Sequence, residues 1–142
     1  MNRTTARRHA FVLVFQIPFH KEYDAETLAE AYHDYFNGLD ENKHPDDKSA
    51  AYLIRTTSGL LDNLQQIDES ITNYLKGWRL ERLNRVDLAV LRLSVYEILY
   101  EQDIPSIAVI NEAVELAKRF GDDESPSFIN GLLGSIINEQ AG

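Results

Sequence analysis

NRVDLAVLRLSVYEILY, residues 84–100, carries apolar side chains on more than one helical face. Val86, Val90, Leu93 and Tyr100 form one stripe, and Leu91, Val95 and Ile98 form another. A surface helix needs only one such stripe, so this segment predicts a central helix packed by neighbours on several sides. Helical spacing continues outward from it in both directions. Downstream, EQDIPS leads to Ser106 as an N-cap, and Ile110, Ala113, Val114 and Ala117 recur at helical spacing as far as Phe120-Gly121. Ser125-Pro126 then predicts another start, an N-cap before a proline at the first helical position, for a last helix ending near Asn138.

Upstream, Tyr52, Leu53, Leu60, Leu61, Leu64, Ile67, Ile71, Tyr74 and Leu75 mark an amphipathic region from Asp47 to Lys76. It is long for one helix, so a break is expected between Asp62 and Gln66, with Gly77 as the C-cap. A helix from the N-cap Asp24 to Asn37-Gly38 carries Leu28, Tyr32, Tyr35 and Phe36, and the acidic stretch from Leu39 to Asp47 reads as an exposed loop. The first helix is expected from Thr4 or Thr5, as N-cap, to Ile17, where Pro18 stops it, with Ala10, Phe11, Val14 and Ile17 inward. No useful strand alternation occurs, and no Asn-Gly or Asp-Gly pair joins two strand-like runs, Asn37-Gly38 ending a helix instead. The expectation is an all-α fold of six or seven helices, and no Gly-, Ser- or Pro-rich linker divides it, so residues 1–142 are read as a single domain.

The absence of cysteine removes disulfides, thiolate metal sites and a cysteine nucleophile, and His9, His20, His33 and His44 lie far apart. The start lacks the apolar core and cleavage site of a secretory signal, and no apolar run approaches the roughly 18 residues of a membrane span. A cytoplasmic protein without membrane contact is expected. No HExxH, GxSxG, GxxxxGKS/T or GxGxxG motif is present, so neither catalysis nor a cofactor or metal is expected. Glu112 and Glu115 lie one turn apart as a di-metal site requires, but neither is followed three residues later by the histidine such a site uses; with Lys118 and Arg119 they read as a solvated face. His33 and Asp34 read as a surface pair.

A formal charge of -9 argues against nucleic acid, because polyanion binding depends on cations. The charge is, however, segregated. Residues 1–21 contain Arg3, Arg7, Arg8 and Lys21 and no acid, leaving ten cations against 23 acids in the rest. Arginines in a first helical turn face an unfavourable macrodipole, so stability alone does not account for them. Arg3 and Arg7 fall one turn apart, and guanidinium groups contact phosphate and stack on bases. A basic, frayed terminus would look the same, so this feature alone does not decide for RNA. Phe128 sits at the margin of the last helix's apolar stripe, where an aromatic can either stack on an unpaired base or join the core. Trp78, within KGWRLER, reads as a corner residue packed on the central helix.

GWRLERLNRVDLAVLRLSVYEILY followed by IPSIAVINEAVELAKRFGDDESPSFINGLLGSI, with the start ARRHAFVLVFQ, resembles the NusB family of bacterial transcription antitermination factors. The likeness is continuous from about Trp78 to Ile136 and weak between about Pro18 and Lys48. It implies two packed helical bundles. It also implies an adaptor that binds the boxA element of nascent ribosomal RNA transcripts with NusE, the ribosomal protein S10, in an RNA polymerase antitermination complex. The RNA contacts so implied are Arg3, Arg7, Arg8 and Phe128, with Glu124 and Ser127 beside it, and the NusE surface includes Glu81 and Asp87. The arginine run is thinner than in some members, Glu124 stands where an aspartate is familiar, and Ser127 takes a position that is basic in some relatives. Weak RNA binding, strengthened by NusE, is therefore expected.

Two rivals remain open at this level. Similar helical domains precede some ribosomal RNA cytosine methyltransferases, although this chain has neither a cofactor-binding β/α region nor a cysteine for that chemistry. The other is an RNA-independent protein-interaction or self-associating domain, with the arginines at a homodimer contact.

Overall fold

A computed structural model of the chain describes residues 1–18 and 23–141. His20 and Lys21 of the N-terminal run lie outside the described residues. The described residues contain seven α-helices and two short 3₁₀ turns. The helices are α1 (Arg3–Phe15), α2 (Ala25–Asn37), α3 (Asp47–Asp62), α4 (Leu64–Thr72), α5 (Arg85–Tyr100), α6 (Ser106–Phe120) and α7 (Ser125–Ala141). They form two compact units, Met1–Asp62 and Asn63–Gly142, divided at the expected break: Asn63 interrupts the amphipathic region between α3 and α4.

In the first unit α1, α2 and α3 contact one another in all three pairs. Ala10, Leu13, Val14, Leu28, Phe36, Leu53 and Leu60 are buried, whereas Tyr32 and Tyr35 of the expected α2 face are only half-buried. His9 joins α1 to α2: its Nδ1 lies 2.6 Å from the Tyr35 hydroxyl and its ring packs on Phe36. Asp24 caps α2 as expected, accepting from the Thr27 N–H at 2.8 Å. Helix α1 begins earlier than expected. Asn2 is its N-cap, accepting from the Thr5 N–H at 2.8 Å, so Thr4 and Thr5 lie inside the helix and Arg3 is its first residue. Its end also comes earlier, at Phe15, although Ile17 is still buried.

The second unit is built on α5, which contacts α4, α6 and α7. Every residue from Asp87 to Ile98 is buried, as expected of a central helix, while Val86 is half-buried and Tyr100 exposed. Complete burial encloses Arg92, which is 1% exposed. Its Nε and Nη2 donate to the two Asp68 carboxylate oxygens, each at 2.9 Å, so a forked pair ties α5 to α4.

Three local expectations change. Helix α4 ends at Thr72, and Gly77 lies beyond it in the left-handed region at φ 77°. At α6 the cap residue is Pro105, without a side-chain bond, and Ser106 is the first helical residue. At α7 Asp122, not Ser125, supplies the cap: its Oδ1 accepts from the N–H groups of Glu124 and Ser125, both at 3.0 Å, while the Asp122 N–H donates to Ser125 Oγ at 3.1 Å. This reciprocal arrangement satisfies donors from both sides of the helix start.

Removing one partner of a buried pair leaves the other charge poorly compensated, whereas removing both does not. Asp68→Ala is expected to destabilise the protein by about 3 kcal/mol in urea unfolding. The double substitution Asp68→Ala/Arg92→Leu should cost measurably less than Asp68→Ala alone.

Candidate nucleic-acid interface

The arginines of α1 divide by position on the helix. Arg3 is exposed, Arg8 is half-buried, and Arg7 is 3% exposed. Arg7 precedes Ala10 and Phe11 by three and four residues, which places it on the buried stripe, so its burial follows from helical geometry. It is thereby withdrawn from the exposed cationic surface expected for it.

Arg3 is joined by cations that the sequence reading did not single out. A cavity of about 550 Å³ is lined by Arg3, Lys48, Tyr52 and Arg55 together with Asp46 and Met1. Lys48, Tyr52 and Arg55 recur at i, i+4 and i+7 along α3, a spacing that could have revealed a common face. The Arg55 guanidinium lies 6.0 Å from the Tyr52 ring centroid. Asp46 is already engaged: it accepts from the Ser49 N–H at 2.8 Å at the start of α3 and pairs with the terminal amine at 3.1 Å. The Ser49 hydrogen bonds, then the amine, bring its carboxyl down to about 2. Its charge therefore partly offsets the cations around it.

Arg8 shapes the other side of α1. Burial lowers the His9 pKa from 6.5, and the nearby Arg8 charge lowers it further. Burial raises the Tyr35 hydroxyl, with Arg8 opposing. His9 is thus neutral at pH 7 and adds no charge for a polyanion.

In the second unit Phe128 is half-buried in the first turn of α7, as expected, with Glu124 and Ser127 exposed nearby in sequence. Asn84 connects the starts of α5 and α7. Its Oδ1 accepts from the Asp87 N–H at 2.7 Å, and its Nδ2 donates to Asp87 at 3.1 Å and Asp122 at 3.3 Å. Asp87 is therefore 7% exposed and bound into the cap of its own helix, where burial, with the Asp122 charge adding, raises its carboxyl above the ordinary value. That setting takes Asp87 off the surface expected to meet NusE. Glu81 stays on the surface, paired with Arg79 at 3.2 Å. Trp78 is not a packed corner residue: its side chain is 64% exposed.

Lys118 pairs with Glu115 at 3.6 Å, in keeping with a solvated α6 face, and His33 and Asp34 are exposed. Among the described residues no group of three or more His, Cys, Asp or Glu is placed to hold a metal ion, and no helix is long and apolar enough to cross a membrane.

These features define an all-α protein, with seven helices among the described residues. The chain belongs to the NusB family, whose sequence profile matches residues 4–138. It is 39% identical over 137 residues to the transcription antitermination protein NusB of Acetivibrio thermocellus, covering 96% of this chain and 89% of the relative. The T. maritima NusB structure superposes with a TM-score of 0.83 at 39% identity, covering 98% of this chain and 92% of that one. A chain in a structure of antitermination factors NusB and NusE in complex with dsRNA shares the fold, with a TM-score of 0.78 at 23% identity and 96% of both chains covered. The family's proteins are not enzymes, which agrees with the sequence reading.

A Cβ on Gly121 would lie 2.6 Å from Ser125 Oγ and 2.8 Å from the Ala117 carbonyl oxygen, so the turn before Phe128 requires glycine. Gly121→Ala is expected to lower stability by about 1–3 kcal/mol by chemical denaturation, and to shift the Ser125 and Phe128 amide resonances. His9 offers a pH test. Between its lowered folded pKa and 6.5 the unfolded chain binds a proton that the folded chain does not, so stability falls as the pH drops through that window. Urea midpoints measured from pH 7.5 down to 5 should show this decline, and His9→Gln should lack that component.

Proposed function

We propose that this chain is a cytoplasmic transcription antitermination factor. It binds boxA RNA of nascent ribosomal RNA transcripts together with NusE, the ribosomal protein S10, and helps RNA polymerase read through terminators. Residues 1–142 act in this as one RNA-binding domain. The observation that carries the reading is the gathering of Arg3, Lys48 and Arg55 around one cavity, with Arg8 also on α1, in a chain of net charge -9. Family membership and the name borne by relatives give it its biological setting.

The two clusters suit different parts of an RNA strand. Arg3, Lys48 and Arg55, with Arg8, supply charge for phosphates, and Tyr52 supplies an aromatic face. Phe128 follows Asp122, Asp123 and Glu124, all exposed, and three acids repel phosphates. Carboxylates accept hydrogen bonds from base amino groups, so Phe128, Glu124 and Ser127 are assigned to a base and not to the backbone. Arg7 is assigned a supporting part, and Glu81 a part in the NusE surface.

Fluorescence anisotropy with labelled boxA RNA at several salt concentrations tests the proposal. Arg3→Ala/Arg8→Ala should weaken binding roughly tenfold at low salt and flatten the salt dependence by about two ions. Phe128→Ala should weaken binding about fivefold or more with the salt dependence unchanged. NusE should tighten the complex; equal RNA affinity with and without it would sink joint recognition.

A further inference from the structure

The chain contains one tryptophan, and the fold leaves it on the surface. Leu80, two residues on, is buried and roots the segment, and a 3₁₀ turn follows in which the Arg82 N–H donates to the Arg79 carbonyl at 2.9 Å. Gly77, left-handed at φ 77°, makes the turn just before the indole, and no atom crowds the position where its Cβ would be. Trp78 is therefore displayed by an anchored turn. Gly77, Trp78, Arg79 and Arg82 line an open cavity of about 350 Å³.

The charge around the ring says what suits it. Residues 76–85 contain Lys76, Arg79, Arg82 and Arg85 against the single acid Glu81, within a strongly acidic chain. The Arg79–Glu81 pair is a surface one, and the Arg79 side chain is 77% exposed, so Arg79 can exchange this partner for a stronger anion at little cost. A protein partner of apolar character would meet the Arg79 and Arg82 guanidinium groups in the same cavity as the ring. A nucleotide offers a complement to both features of the cavity, a flat face to stack on the Trp78 ring and a negative charge for the arginines beside it.

We infer that Gly77–Arg82 is a second RNA contact, in which an unpaired base stacks on Trp78 and Arg79 and Arg82 hold the flanking phosphates. It rests on the reading of the chain as an RNA binder and adds a site in the second unit that is separate in sequence from Phe128.

Being the only tryptophan, Trp78 reports on its own occupancy. Titration of the full chain with single-stranded boxA RNA should quench its emission saturably, in step with the anisotropy of the labelled RNA. Trp78→Ala should weaken binding about five- to a hundredfold, and Trp78→Phe, which keeps an aromatic face, by less. Arg82→Ala should reduce the salt dependence by about one ion. RNA bound with unchanged emission, and by Trp78→Ala at parental affinity, overturns this site while leaving the RNA-binding reading intact; the surface would then suit a protein partner. Quenching without any loss of affinity in Trp78→Ala overturns it as well. If the parent chain binds no RNA, both readings fail.

Discussion

The forked contact between Arg92 and Asp68 is the constraint around which the second unit is arranged. Helix α5 is buried over twelve consecutive residues, Asp87 to Ile98, and such a helix normally excludes charge. Placing a guanidinium at its middle obliges a neighbour to bring a carboxylate to one side at a fixed height. Asp68 does so from α4, and both of its oxygens are used. Apolar burial is indifferent to small slides of one helix along another, whereas two parallel hydrogen bonds are not. The pair therefore specifies register while Val90, Leu91, Leu93 and Val95 provide the driving force. A buried pair is weak as a source of net stability, and its value here lies in that specification.

The same logic runs along α5 to its first turn. Asn84 caps α5 and reaches Asp122, which caps α7, so the two helix starts are set by one side chain. Gly121 permits the close approach of Ser125 that closes the second cap. Phe128 owes its position to this chain of polar contacts.

How much of this was legible follows from the reach of each signal. Helical periodicity is strong and local, so the seven helices, the break at Asn63 and the central character of α5 could all be read from spacing. Asp24 was legible because an acid directly before a helix has few other uses. Asn2 and Asp122 were not, because better-known cap residues, Thr4 and Ser125, stood a few positions on; choosing between adjacent candidates depends on where the backbone turns. Arg7 was misplaced for a different reason. Its residue type suggests solvent, while its spacing to Ala10 and Phe11 puts it on the buried stripe, and the spacing prevails. Trp78 erred in the opposite direction, since a large apolar side chain implies burial but the rooted residue is Leu80. The grouping of Arg3 with Lys48 and Arg55 depends on α1 meeting α3, which periodicity within a single helix cannot supply.

The electrostatic problem of an acidic chain meeting a polyanion has a local solution. Screening reduces the influence of a charge beyond about 8–10 Å at ordinary ionic strength, so distant acids neither cancel nor strengthen a cluster of cations. What matters is the charge within that distance. Around Arg3 the acid that lines the cavity, Asp46, is committed to the start of α3 and the terminal amine. Around Trp78 the one acid in sequence, Glu81, pairs with a surface arginine. Around Phe128 the balance reverses, and there a base edge, not a phosphate, is the chemically compatible guest. On the proposed function, few cations also mean that few counterions are released, so aromatic stacking would supply much of the affinity. A strand held in the proposed way would be read more by its unpaired bases than by its charge.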